Sequence, residues 1–257
     1  MIASETRYFI NDNPRGVGVK QLSKDISWNL MSLIYKVYLT AISPKIVDKK
    51  YNVSICAVFK NEAMYLREWI EFNHLIGVEH FYLYNNNSDD DYVSVLKPYV
   101  KNGMVTLLDW PYNQKQMECY EACIEKFSGE TKWLGFIDVD EFIVPKSMDS
   151  IYEFLQPFEK KAGSVNIYWK LFGTSGKINR NLTGLVCEDF TVCWPKYCDI
   201  GKCFYNTAFG FDKNCKKAGC LHHWFWANNK GVNVPPVNIF GHICVGNRNI
   251  ADSDDFP

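Results

Sequence analysis

Asp138, Asp140 and Glu141 carry the sharpest chemical signal in the chain. They sit in Gly135-Phe-Ile-Asp-Val-Asp-Glu-Phe-Ile-Val-Pro145, and the apolar run Trp133 to Ile137 leads straight into them. In extended chain, residues i and i+2 point to the same side. Asp138 and Asp140 are therefore expected to project together from the end of a strand. Two carboxylates in a partly dry site repel each other unless a cation sits between them. Oxygen ligands of this kind select magnesium, manganese or calcium over softer metals. A cation held this way keeps positions open for phosphate oxygens. The motif thus suits transfer of a sugar from a nucleotide donor, or phosphoryl transfer through a nucleophilic aspartate.

The elements that must position these acids are readable on either side. Val53-Ser-Ile-Cys-Ala-Val-Phe59 is a short apolar, β-branched run and reads as a strand. Ala63, Leu66, Ile70 with Trp69, Phe72 and Ile76 give a broad apolar face at helical spacing over about 62–76, ended by Gly77. His80 to Tyr84 is the next strand. The polar turn Asn85 to Asp91 is placed to cap a following helix. Val105 to Trp110 is a third strand, Met117, Tyr120, Ile124 and Phe127 mark a helix face, and Trp133 to Ile137 is a fourth strand. This alternation predicts an α/β fold with a mostly parallel central sheet and helices on both faces. Right-handed crossovers put the strand C-terminal ends on one edge, where open α/β sheets bind ligands. The loops at that edge begin at Lys60, Asn85, Trp110 and Asp138, and all are rich in polar groups.

Composition narrows the function. The chain has 257 residues, enough for a sizeable core, and 47% are hydrophobic, which excludes general disorder. The 28 basic and 29 acidic residues leave no field to attract nucleic acid, so no such partner is expected. The first residues lack a basic region followed by an apolar one, so no secretory signal is expected. Ile26 to Ile42 is apolar but interrupted by Asn29, Ser32 and Lys36, short of the ~20 clean residues of a spanning helix. It reads as a helix packed on the domain, or as an interfacial helix with Trp28, Tyr35 and Tyr38 at headgroup depth. The implied location is cytoplasmic, with peripheral contact to the inner face of the plasma membrane. Cys56, Cys119 and Cys123 fall in apolar patterns and read as core thiols. Cys187, Cys193, Cys198, Cys203, Cys215 and Cys220 crowd together without a C-x-x-C pair, which weakens a zinc reading. The chain is expected to divide into a leader with an amphipathic helix (1–50), an α/β half (51–145) that carries the paired acids, and a remaining half (146–257).

Several segments together resemble glycosyltransferase family 92. They are VSICAVFKNEAMYLREWIEFNHLIGVEHFYLYNNNSDD, then Gln116 with Cys123, then WLGFIDVDEF, then YWKLFGTSGK. The resemblance implies a GT-A-like fold, an added N-terminal helical arm here, and transfer of a hexose such as galactose from a UDP-sugar to a glycan or lipid-linked acceptor. It implies inversion at the anomeric carbon and a manganese or magnesium cofactor, and it places the chain in polysaccharide biosynthesis. Carried onto this sequence, Asp138 faces ribose and metal, and Asp140 ligates the metal. Phe59, Lys60, Asn61 and Glu62 lie along the nucleotide, and Asn85, Asn87 and Asp89 lie near the base and ribose edge. His222 or His223 supplies a further metal or pyrophosphate contact. The segment after the paired histidines departs from the family pattern: Phe240-Gly-His242-Ile-Cys is the nearest match and a lysine-serine is missing. A divergent or truncated C-terminal segment is therefore expected.

An inverting displacement also needs a base beside the acceptor hydroxyl. Glu188 and Asp189 are candidates on the acceptor side, and Glu141 is either a base or a tether for the aspartate loop. Trp169 and Phe172 read equally as acceptor stackers and as core. The competing readings are an aspartate-based phosphatase and an inactive sugar-nucleotide-binding homologue. Haloacid-dehalogenase-like phosphatases usually carry the motif on the first strand, with Thr or Val two positions after the second Asp. Here it follows three strand–helix units and position 142 is Phe.

Overall fold

Alternation within the strands decides how this chain packs. A computed structural model describes residues 19–178, 184–195, 197–198, 200–215 and 221–244. Strands β1 (Tyr51–Phe59), β2 (His80–Asn85), β3 (Val105–Asp109) and β4 (Thr131–Phe136) run parallel in the spatial order 3-2-1-4. Val53, Ile55, Ala57 and Phe59 of β1 turn to one face, where Leu66, Trp69 and Ile70 of α2 (Ala63–Leu75) meet Leu96 and Tyr99 of α3 (Tyr92–Lys101). Cys56 of the same strand turns to the other face, against Cys119, Tyr120, Cys123, Ile124 and Phe127 of α4 (Gln116–Phe127). The period of two thus builds two cores, one on each side of the sheet. Trp69 and Trp133 are fully buried in the first. Each such aromatic contributes about 1.5–3 kcal/mol or more by burial.

The four strand–helix units fall where the sequence places them, within a residue or two at each end. The second half was less legible. Beyond α5 (Ile151–Leu155), strands β5 (Ser164–Tyr168), β6 (Gly201–Asn206) and β10 (Val237–Asn238) extend the sheet to seven strands, in the order 10-5-6-4-1-2-3. Within that sheet β6 alone runs antiparallel to its neighbours, pairing β4 on one side and β5 on the other. This is the mostly parallel α/β architecture expected from sequence. Strands β7 (Gly210–Phe211), β8 (Ala227–Asn229) and β9 (Val232–Val234) form a separate small antiparallel sheet.

The N-terminal arm, α1 (Val19–Ala41), lies against this small sheet. Tyr35 Oη donates to the Asn233 carbonyl (3.1 Å) and Tyr38 Oη to that of Asn229 (2.8 Å), while Leu39 enters the second core. The expectation that Tyr35 and Tyr38 sit at headgroup depth is therefore corrected: both hydroxyls are spent on the domain, and the face of the helix that carries them packs there. Trp28 lies outside the described side chains. Lys49 then pins the linker, its ammonium donating to the Ser128 carbonyl (2.6 Å) and to Thr207. Among the described residues no helix is long and apolar enough to cross a membrane.

Candidate functional site

Strand β4 stops at Phe136, two residues before the first acid. The amide of Glu141 donates to the Asp138 carbonyl (3.1 Å), closing a turn over Val139 and Asp140. Val139 is buried in the first core, and Trp69 Nε1 donates to the Glu141 carbonyl (2.8 Å), so the turn is fixed from beneath. The extended geometry assumed for Asp138 and Asp140 is thus replaced by a turn. Asp138 opens it, half-buried, and Asp140 is exposed at its tip.

Asp138 is held from three elements. Gln116 Nε2 (3.2 Å) and Tyr120 Oη (3.3 Å), both on α4, donate to its Oδ1. Lys202 Nζ donates to its Oδ2 at 2.5 Å and stands 3.3 Å from Glu141 Oε2. That same Glu141 oxygen accepts from the Asp138 amide (3.3 Å). Lys202 is only 4% exposed, and its ammonium lies 5.6 Å from the Trp169 ring centroid. A buried lysine is costly unless paired, and here two carboxylates pair it. Burial pushes the Glu141 carboxyl up to about 7 against the pull of Lys202, with Asp138 adding to the rise. Glu141 acts as the tether the sequence allowed, since one of its oxygens is committed to Lys202 and to the turn.

The histidine pair arrives beside this triad. Their rings are 3.9 Å apart, Tyr120 lies 5.8 Å from His222, and Trp169 packs edge-on at 5.0 Å from His223. His223 Nδ1 lies 2.6 Å from the Gly201 carbonyl. A carbonyl only accepts, so Nδ1 carries the proton and Nε2 keeps a lone pair. Burial, helped by Lys202 and His223, holds His222 down at about 3, and burial likewise lowers His223. Both imidazoles are therefore neutral at neutral pH.

Exposed Asp140 offers a hard carboxylate oxygen of the type manganese and magnesium accept, whereas imidazole nitrogen is a borderline ligand. Asp138 already spends its Oδ2 on Lys202. Among the described residues, no three acid, imidazole or thiol side chains stand close enough together to enclose an ion. That observation also gives no support to a zinc site among the clustered cysteines. Cys220 lies outside the described residues.

The loops after β1 and β2 form a second, adjoining network. Asn61 (φ 57°) donates its amide to Ser88 Oγ (3.0 Å), and its Oδ1 accepts from the Asp89 amide (2.9 Å). Asn85 Oδ1 accepts from the Ser88 amide (2.9 Å), while its Nδ2 donates to Tyr92 Oη and to Asp109 Oδ1. Asp90 Oδ2 accepts the first amide of α2 (2.7 Å). Lys60 and Asn87 are exposed at this edge, and Glu62 supplies its carbonyl to the first turn of α2. Phe59 is buried, with its ring edge-on to Tyr92 in the core. Only its backbone carbonyl, which accepts from the Asn86 amide, reaches this loop.

Glu188 and Asp189 lie elsewhere, on α6 (Val186–Asp189). Glu68 of α2 accepts the Val186 (2.7 Å) and Cys187 (3.0 Å) amides and so clasps α6 from across the chain. Asp189 is buried and ion-paired with Lys177, whereas Glu188 is exposed. No hydrogen bond or ion pair joins either to the Asp138 cluster among the described residues. Phe172 is exposed and bridges to Cys193. The residues that sequence reasoning missed are Lys202 and Tyr120. The signal for Lys202 was a lone charge inside the otherwise uncharged strand Gly-Lys-Cys-Phe-Tyr-Asn.

Residues 49–207 match the family profile described as Glycosyltransferase family 92. A family 92 protein of Oryza sativa subsp. japonica is 31% identical over 132 residues, covering 50% of this chain and 23% of that protein. The β-1,4-galactosyltransferase galt-1 of Caenorhabditis elegans is 34% identical over 116 residues, covering 40% of this chain and 27% of that one. The galactan β-1,4-galactosyltransferase GALS3 of Arabidopsis thaliana is 30% identical over 128 residues, covering 44% and 25%. The matched stretch thus spans less than a third of each of these relatives. A solved structure of S. aureus TarS, residues 1–349, superposes with a TM-score of 0.41 at 13% identity, over 61% of this chain and 47% of that one.

Proposed function

This chain belongs to glycosyltransferase family 92, and on that premise we propose that it transfers a hexose, galactose first among candidates, from a UDP-sugar to a glycan or lipid-linked acceptor with inversion. The observation that carries the reading is the convergence of the Asp138 turn, the Asn61–Asn85 loops and the His222–His223 pair at the C-terminal edge of a parallel sheet. The names of the worm and Arabidopsis relatives support the choice of galactose.

Asp138, fixed by Gln116, Tyr120 and Lys202, faces the nucleotide, and Asn61, Asn85 and Asp89 shape the loop that receives its base and ribose. Exposed Lys60 and Asn87 are free to reach it. Asp140 with His222 or His223 would hold manganese or magnesium, which when bound supplies Lewis-acid stabilisation of a departing diphosphate. In the displacement, an acceptor oxygen forms a bond to the anomeric carbon as the bond to the diphosphate oxygen breaks. The acceptor proton passes to a carboxylate. Glu188 suits that task better than Asp189 or Glu141, because those two are already bonded to lysines.

The test is titration calorimetry with UDP in the presence of manganese. UDP is expected to bind, and chelator or Asp140→Ala is expected to weaken binding by about tenfold or more, as for loss of a few kcal/mol of charge stabilisation. Glu188→Gln is expected to lower turnover with UDP affinity intact. UDP binding indifferent to both chelator and Asp140→Ala removes the metal from the reading.

The outer face of α1 favours a second contact. Ile26, Leu30, Leu33, Ile34 and Val37 are each more than half exposed, in a row at helical spacing. We place this row on a lipid surface. Co-sedimentation with anionic vesicles is expected for the native chain and lost in Leu33→Glu/Val37→Glu. Equal sedimentation of both proteins would dismiss the contact.

A further inference from the structure

We propose that Lys202 is a positioning residue that sets the charge under the donor's diphosphate. It does so by holding Asp138 and Glu141 as an acid pair with one net negative charge rather than two. The inference rests on the nucleotide-sugar reading above and adds a residue to it. Lys202 is buried on β6, the antiparallel strand that joins the two halves of the sheet. Its ammonium meets Asp138 Oδ2 at 2.5 Å and Glu141 Oε2 at 3.3 Å. Water reaches the ammonium poorly, so the two carboxylates compensate it and it compensates them. Asp138 is the half-buried, outward member of the triad, its side chain 33% exposed. Whatever binds at this edge therefore meets the sum of three charges through Asp138. A diphosphate is repelled by that sum, and one added negative charge at about 8 Å weakens its binding by on the order of tenfold at the effective dielectric of a protein surface.

The neighbouring residue strengthens the assignment. Gly201 gives its carbonyl to His223 Nδ1, and Lys202 gives its ammonium to the acids. One dipeptide of β6 thus aligns the imidazole and the carboxylates that face each other. A bond that merely stabilised the sheet would require neither a charge nor this register.

The experiment compares UDP with uridine by calorimetry in manganese buffer at pH 8, where the native Glu141 carboxyl is mostly ionised, using the full chain. Lys202→Met is expected to weaken UDP by about tenfold or more while uridine changes little. The double variant Lys202→Met/Glu141→Gln, which returns the net charge to one, is expected to regain most of the lost UDP affinity. Lys202→Arg should fall between. Glu141→Gln alone, which removes one negative charge from the triad, should tighten UDP. Uridine falling in parallel with UDP, or no recovery in the double variant, overturns the proposal and leaves the donor reading standing. Native protein that binds uridine and UDP not at all overturns the donor reading itself.

Discussion

Gly201→Ala is expected to lower the thermal midpoint by on the order of 10 °C and to disorder the site in the same step. A Cβ built on Gly201 lies 1.8 Å from the Ile167 carbonyl oxygen and 2.5 Å from its carbon. Those atoms belong to the ladder of β5 and cannot rotate away as the end of a side chain would. Overpacking costs about 1–3 kcal/mol and occasionally more, and backbone contact puts this site at the upper end. In a domain of this size each kcal/mol moves the midpoint by about 2–4 °C. The Gly201 carbonyl also fixes His223, and Lys202 follows immediately, so separating β6 from β5 displaces the imidazole and the ammonium together. Circular dichroism melts of Gly201→Ala and of Gly173→Ala provide the comparison. An added Cβ at Gly173 meets nothing within 4 Å, and its midpoint should stay within a degree or two of the native one. A Gly201→Ala midpoint equally close to native would show that β5 and β6 are not locked at that register.

The contrast between Gly201 and Asp138 explains how far the sequence could be read. Asp138 stands at the end of an apolar strand with a helix on each side, so periodicity alone placed it on the ligand-binding edge. The same holds for Asn61 and Asn85, which follow strands of alternating or continuous apolar residues. Each element of those four strand–helix units carries its own local hydrophobic period. Lys202 pairs with Asp138 across 64 residues, and His223 with Gly201 across 22. Nothing in local propensity records such closures, because antiparallel strands entering a parallel sheet are chosen by what they pack against. The extended reading of Asp138-Val-Asp140 failed for a local reason. Val139 is apolar and is pulled into the core beneath, so the chain turns there rather than continuing the strand. A lone lysine in an uncharged strand was the one mark left in the sequence, and it becomes meaningful only once two carboxylates are known to face it.

Asp138→Ala should destabilise the fold by about 3 kcal/mol, as expected for breaking a buried pair at a site that water partly reaches. The loss is larger than a surface acid would give because three partners are stranded at once. Lys202 keeps only the longer contact to Glu141, and Gln116 and buried Tyr120 lose their shared acceptor. Lys202→Met should itself be costly, since it leaves Asp138 and Glu141 facing each other. Removing both charges should cost less than the two single changes together, by a coupling of about 1–3 kcal/mol, measured by urea denaturation of the four proteins. Additive losses would mean that the ion pair carries no coupling energy. UDP affinity should behave differently, staying lost in Asp138→Ala/Lys202→Met even as stability returns, because Asp138 is the member proposed to face the nucleotide. Stability that recovers while affinity does not would separate the two roles of this carboxylate, one toward the lysine beneath it and one toward the donor above.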